Sequence, residues 1–192
     1  MAISKDGIHF TPQARPIGEP YFRVFQYDGW YYTTTRSGNL ARSRDGLGQW
    51  EERGDTYTPE GAKRALGIFA QETHDRQNNA MMRHTAVLVE GDTLWVYFTR
   101  TGDAPERVML SIAKLTGEWT TWKLSAAVDV LLPEMEYEGS KFPTERSRPG
   151  SRLGRGPIRT LQSPAIYRES GKTYLLYCVA GESGIAIAKL TW

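Results

Sequence analysis

The chain has 192 residues, a formal net charge of +2 and 40% hydrophobic residues, enough for one domain with a sizeable core. A charge this close to neutral argues against a general nucleic-acid binder, which carries a strong basic excess, and the single cysteine, Cys178, excludes an intrachain disulfide. No signal-peptide segment and no run of ~20 apolar residues is visible, so we expect a cytoplasmic protein with no membrane partner.

Three segments along the chain repeat one pattern: a strand, a tight turn, an aromatic-rich strand, a short loop and a further strand. The predicted strands are 21–28, 30–36, 39–44 and 49–53, then 84–90, 93–101, 107–115 and 119–124, then 163–168, 172–180 and 184–190. Turns such as Asp28-Gly29 and Gly91-Asp92 between these runs are strong hairpin signals, because primed turns need positive φ.

A four-stranded antiparallel meander of about 40–50 residues is a β-propeller blade. We therefore predict an all-β single domain over 1–192, with about three propeller-type blades at 18–58, 83–130 and 160–192. The third segment has three strands, and the N-terminal strand 8–17 is expected to close it. Ser4-Lys5-Asp6-Gly7 mirrors Ser43-Arg44-Asp45-Gly46, the turn before the fourth strand of the first segment.

Three blades are fewer than the 4–8 that single-chain rings typically use. Several copies of the chain could complete a ring, the blades could form an unclosed array, or the sequence could be part of a longer protein. Exposed sheet faces favour association, so we expect a homo-oligomer. If the blades share an axis, Tyr21, His84 and Ser163 should lie close together, since the first strand of each blade lines the central channel.

The blade entrances carry a resemblance to a known family. An acid-Pro pair at Glu19-Pro20, aromatic second strands and the Ser43-Arg44-Asp45-Gly46 turn are its first elements. The stretches Arg83-His84-Thr85-Ala86-Val87 and Ser163-Pro164-Ala165-Ile166 extend it. Together they resemble the five-bladed glycosidase propellers of the arabinanase, xylosidase and fructosidase type, and the resemblance spans most of the chain. It implies a base, an acid and a pKa-modulating carboxylate, one from each of three blade entrances.

Only one of these three carboxylates is at its matching place. Glu19 occupies the first entrance, whereas the second carries Arg83-His84 and the third carries Ser163 where the family pattern often has Asp-Pro. Candidate substitutes for the missing catalytic carboxylates are Glu72 and Asp75, in the loop before the second segment, and Glu134, Glu136 and Glu138, in the loop before the third. Burial in the channel could raise the pKa of such a carboxylate, and solvated loop charges are the alternative.

The remaining candidates are substrate-binding residues. Arg23 interrupts an apolar run, so it binds a ligand or pairs with an internal acid. His84, beside Arg83, is either a channel-facing hydrogen-bonding or acid/base residue or a structural histidine. Ser163 opens the third segment. Arg159 belongs to an arginine-rich loop that either recognises an anionic sugar or phosphate or is solvated. Asp103 and Glu106 are interpreted as turn residues.

Three hypotheses for function follow from these residues. The first is a glycosidase-like propeller that acts on carbohydrate through Glu19 and a loop carboxylate. The second is a non-catalytic propeller that binds a saccharide or another small polar ligand, and the third is a partial propeller completed by oligomerisation. We expect no cofactor and no metal, because no His-Glu-x-x-His motif and no zinc-type cysteine pair occurs.

Overall fold

The structure, a computed structural model, describes residues 2–13, 17–18, 21–35, 38–53, 69, 74–75, 77, 80–149 and 156–191. In order its strands are β1 (Ala2–Ser4), β2 (Phe10–Pro12), β3 (Arg23–Tyr27), β4 (Trp30–Thr34), β5 (Leu40–Ser43), β6 (Glu51–Glu52), β7 (Met81–Glu90), β8 (Thr93–Thr101), β9 (Val108–Lys114), β10 (Val128–Leu131), β11 (Leu161–Glu169), β12 (Lys172–Val179) and β13 (Gly184–Leu190). Two 3-10 helices cover Trp119–Thr121 and Glu136–Glu138. Within these ranges no helix has the length and hydropathy needed to cross a lipid bilayer.

Three antiparallel meanders confirm the predicted all-β propeller fold. Strands β3 to β6 form blade one, β7 to β10 form blade two, and β11 to β13 form blade three. The first strands contact one another, β3 against β7 and β7 against β11. The first strands of the three blades therefore lie side by side, with β7 between β3 and β11.

The second strand of blade two shows why these sequences stack as blades. Leu94, Val96 and Phe98 pack into a core shared with blade one, whereas Tyr97 packs into a second core shared with blade three. Successive side chains of a strand point to opposite faces, so a strand covered on both faces needs a nearly continuous apolar run. The apolar sequence of β8 is thus the consequence of its central position.

The N-terminal strand was expected to close blade three, and this expectation is wrong. β1 pairs with β2, with Ile3 opposite Thr11, in a separate two-stranded sheet. The mirrored turn itself is confirmed. Asp6 Oδ1 accepts from the backbone N–H groups two and three residues ahead, at 2.9 and 2.8 Å, and Asp45 does the same at 2.9 and 3.0 Å. This turn folds the N-terminal segment back on itself, so β2 pairs with β1 rather than with blade three.

The fourth strand of blade two also differs from the prediction. Residues 119–124 are not a strand, because Trp119 begins a 3-10 helix and packs with Trp122 against blade one. The ring centroids of Trp122 and Tyr32 lie 4.9 Å apart. The fourth strand is instead β10, which pairs with β9. The aromatic residues that suggested a strand instead form a contact between blades one and two.

Candidate functional site

Three residues at the blade entrances share an uncommon backbone conformation. Tyr21, His84 and Ser163 have φ values of 59°, 46° and 49°. In β7 the register shifts between Arg83 and Ala86, and in β11 an equivalent shift flanks Ser163. A non-glycine residue in the left-handed region is uncommon and costs of order 1–3 kcal/mol, and such bulges re-aim side chains. Because the same conformation recurs in three blades, we treat Tyr21, His84 and Ser163 as one structural feature and call it the entrance cluster.

The side chains of the entrance cluster touch one another. His84 Nε2 lies 2.9 Å from the Tyr21 hydroxyl oxygen, and the two ring centroids are 4.9 Å apart. Ser163 Oγ lies 3.4 Å from Nδ1 on the other side of the same imidazole. The proximity expected for a shared axis is therefore confirmed, with one residue from each blade.

Donors face both ring nitrogens of His84. On one side, Arg83 Nε and Nη2 lie 3.2 and 3.0 Å from Nε2, and a guanidinium can only donate. On the other side, the backbone N–H of Ser163, which also can only donate, lies 3.4 Å from Nδ1. The imidazole is therefore held between groups of blades two and three.

A buried carboxylate supports the entrance cluster. Glu106 is 1% exposed, and Thr99 Oγ1 and Gln162 Nε2 donate to it at 2.6 and 2.7 Å. Ser147 Oγ also donates, and Arg83 Nε lies 3.6 Å away. Burial raises the pKa of Glu106. The interpretation of Glu106 as a turn residue was wrong, because it connects the first strands of blades two and three.

Asp103, also interpreted as a turn residue, is buried in a network of ion pairs. It pairs with Arg100 Nε at 3.1 Å and with Arg107 Nη1 at 3.2 Å, and Arg107 Nε reaches Asp129 at 2.7 Å. An open cavity of about 610 Å³ lies over this network, lined by His74, Asp75, Arg100, Arg107, Met109 and residues 126–129. The structure therefore places the predicted catalytic candidate Asp75 in a cavity with mixed charge.

A second buried carboxylate, Glu138, lies in the loop before blade three and accepts hydrogen bonds at both of its oxygens. Tyr177 donates its hydroxyl to Glu138 Oε1 at 2.8 Å, and Oε2 accepts from the backbone N–H groups of Glu134 and Met135 at 3.0 Å. Burial, and next this hydrogen bond, raise the pKa of Tyr177. Arg159 Nε donates to the carbonyl oxygen of Pro133 at 3.0 Å, and this hydrogen bond stabilises the same loop.

The predicted site residues thus fall into separate groups. Arg83, His84 and Ser163 meet at the entrance cluster, and Arg23 contacts it through its hydrogen bond to Thr85. Asp75 lines the open cavity, and Arg159 contacts the loop before blade three. Glu19 and Glu72 lie outside the described residues, as do Arg152 and Arg155. Their catalytic and binding roles stay predictions. In the described part of the chain, no group of three or more His, Cys, Asp or Glu side chains is arranged to hold a metal ion.

The fold has counterparts among solved structures. An endo-1,5-alpha-L-arabinanase from Thermotoga petrophila matches 94% of this chain with a TM-score of 0.53 and 16% identity, and the match covers 39% of the arabinanase. A GH32 beta-fructofuranosidase from Bombyx mori matches 95% with a TM-score of 0.52 and 15% identity, over 36% of its own chain. The chain has the fold of a glycosidase-type β-propeller.

Sequence comparison adds a relative of this glycosidase-type propeller. An uncharacterized protein of Acanthamoeba polyphaga mimivirus is 39% identical over 196 residues, which cover 99% of this chain. The chain spans about half of that protein, 52% of its length. No family model matches the sequence. The comparisons therefore establish the fold.

Proposed function

We propose that the entrance cluster of this glycosidase-type propeller binds a saccharide. The observation that carries the proposal is the left-handed conformation repeated at Tyr21, His84 and Ser163, which gathers two hydroxyl groups and an imidazole from three blades. The hydroxyl groups of Tyr21 and Ser163 can exchange hydrogen bonds with sugar hydroxyls, and the buried His84 lies between them and positions them. Two solved structures that share the fold are an arabinanase and a fructofuranosidase.

Binding is favoured over hydrolysis because two buried carboxylates, Glu106 and Glu138, already accept hydrogen bonds from the protein. Glycoside hydrolysis needs two carboxyl groups that flank the bond, one to protonate the leaving oxygen and one to attack or activate water. Glu106 accepts from three side chains and faces Arg83, and Glu138 accepts from Tyr177 and two backbone N–H groups. Both carboxylates are committed to the protein's own donors.

Titration of intrinsic tryptophan fluorescence with a panel of arabino-, xylo-, fructo- and galacto-oligosaccharides tests this proposal. At least one saccharide should bind, and Tyr21→Phe, which removes the hydroxyl that contacts His84, should weaken binding severalfold. Tyr167→Phe is the matched control, because Tyr167 stacks on Tyr174 near the end of β11 and is exposed. No saccharide-dependent change across the panel would overturn the proposal.

Hydrolysis is a second candidate function, favoured by the position of Asp75. This carboxylate lines the open cavity with His74, Arg100 and Arg107, where a sugar could contact it. The proposed catalytic residues are Glu19, Glu72 and Asp75. Glu19→Gln and Asp75→Asn should each abolish turnover of aryl glycosides or oligosaccharides while saccharide affinity persists. A wild-type protein without turnover on a broad glycoside panel removes this candidate.

We also propose that the chain self-associates. The β13 edge of blade three carries Ile185 and Ile187, which are 74% and 58% exposed, and the β1–β2 hairpin exposes Ile3 and Phe10. Unpaired strand edges with apolar side chains are templates for pairing with another chain. Analytical ultracentrifugation should give a multiple of the 21.7 kDa chain mass. A mass equal to one chain across the micromolar range would contradict self-association.

A further inference from the structure

Arg23 is a cation that lies beside the entrance cluster. It lies two residues after Tyr21, its Nε donates to the carbonyl of Thr85 at 2.7 Å, and its Cζ is 5.9 Å from the centre of the Tyr21 ring. No carboxylate of the described residues lies within ion-pair distance of Arg23. Among the described residues, the arginines that lie within ion-pair distance of an acid include Arg42, Arg83, Arg100, Arg107 and Arg168.

This missing partner matters because Arg23 is half-buried in the first strand of blade one. A charge that is partly removed from water is costly unless it is paired. Glu106, the carboxylate that supports the entrance cluster, is buried and already faces Arg83. The guanidinium of Arg23 therefore leaves the entrance cluster with positive charge that a ligand can neutralise.

We propose that the ligand of the entrance cluster is an acidic saccharide, one that contains a uronic acid, and that Arg23 binds its carboxylate. The inference rests on the proposed saccharide binding and names the chemical class of the ligand. The bond from Nε to Thr85 fixes the plane of the guanidinium, and the two Nη groups are left to donate. Paired N–H groups in a fixed plane match the two oxygens of a carboxylate.

The neighbouring groups complete this recognition. The Tyr21 hydroxyl and Ser163 Oγ flank His84 and can bind the uncharged hydroxyl groups of the sugar. Arg23 then discriminates between an acidic sugar and a neutral sugar of the same shape. Its contribution is electrostatic at a partly exposed site, so it should weaken as salt increases.

Isothermal titration calorimetry with an oligogalacturonate and with its methyl ester tests the inference, because the two ligands differ in charge at the carboxyl groups. We expect the acid to bind at least tenfold more tightly than the ester, with a smaller ratio at high salt. Arg23→Gln should bring the two affinities together, and Arg23→Lys should keep part of the preference. Arg168→Gln is the matched control, because this arginine pairs with Glu90 away from the cluster.

The outcomes separate this inference from the proposal on which it rests. Equal affinities of the wild type for the acid and the ester would overturn the proposal that the ligand is acidic. The proposal of saccharide binding would remain. Absence of binding by every saccharide, acidic or neutral, would overturn both. Circular dichroism and urea midpoints establish that each variant is folded. If Arg23→Gln does not fold, the acid-to-ester ratio of the wild type and Arg23→Lys still decides the question.

Discussion

Glu106 Oε2 accepts a hydrogen bond of 2.7 Å from Gln162 Nε2, and this contact joins blade two to blade three. The backbone carbonyl of Glu106 also accepts from Leu161 N–H at 2.9 Å, and its other carboxylate oxygen faces Arg83. One residue of the β8–β9 loop thereby holds the first strands of two blades in register at the entrance. Changes at Glu106 should affect both the stability of the chain and the geometry of the entrance cluster.

Replacement of Glu106 by alanine should destabilise the protein strongly. Glu106→Ala leaves Arg83 buried without its carboxylate and removes the acceptor of three side-chain donors, so we expect a loss of about 3–5 kcal/mol in the free energy of unfolding. Urea denaturation measures this loss. Glu51→Ala, which removes a surface ion pair with Arg42, is the control and should cost less than about 1 kcal/mol. Equal urea midpoints for the two variants would contradict this role of Glu106.

The pH dependence of stability should also report on Glu106. Burial raises its pKa above the ordinary value of 4.5, so the folded state holds the proton more tightly than the unfolded state. Its contribution is full below pH 4.5 and is lost as pH rises through the folded-state pKa. The wild type should therefore lose stability relative to Glu106→Gln as pH rises from about 4 to 8. Urea titrations at each pH measure the difference, and a constant difference would rule out the raised pKa.

Gly139 should tolerate no side chain. Its φ is +92°, and a Cβ there would lie 2.7 Å from the carbonyl oxygen of Ile158 and 3.2 Å from Cα of Ala180. Both are backbone atoms, so Gly139→Ala should cost about 2 kcal/mol or more and loosen the loop that holds Glu138. Gly48→Ala, with no atom within 4 Å of its Cβ position, should change stability by less than about 0.5 kcal/mol. Thermal denaturation compares the two variants, and similar melting temperatures would contradict the close approach.

Cys178 should react slowly with alkylating agents. Burial, and to a smaller extent Glu182, raise the pKa of its thiol above the ordinary value of 9.0, so little thiolate is present at neutral pH. Because Cys178 is the chain's single cysteine, mass spectrometry follows the reaction as one mass shift. The rate with iodoacetamide should be far below that of the urea-unfolded protein. Equal rates in the folded and unfolded protein at pH 7.5 would show that the thiol is not perturbed.

The sequence predicted the blades because their turns are local. Asp28-Gly29 and Gly91-Asp92 specify hairpins within a few residues, and the strands on both sides appear as expected. The fourth strand of blade two was misplaced because Trp119 and Trp122 have the same β-propensity in a strand as in an interblade contact. Local propensity cannot separate these two uses of an aromatic ring.

The site was harder to predict than the fold. His84 and Ser163 could be placed at entrances because each opens a strand pattern. Glu106 could not, because its partners lie 7, 41 and 56 residues away in the chain, at Thr99, Ser147 and Gln162. Such a network exists only after the blades have packed, and no spacing within the sequence marks it.

Because Tyr21, His84 and Ser163 share one backbone conformation, the side chains at the centre can differ while the fold stays the same. Each position aims its side chain towards the entrance cluster, and the strands behind it pair through backbone hydrogen bonds. A single replacement in each blade could therefore convert a neutral, hydroxyl-rich centre into an acidic or a cationic one. Related chains of this shape can diverge in what they recognise through three isolated substitutions, without any change in the strands that carry them.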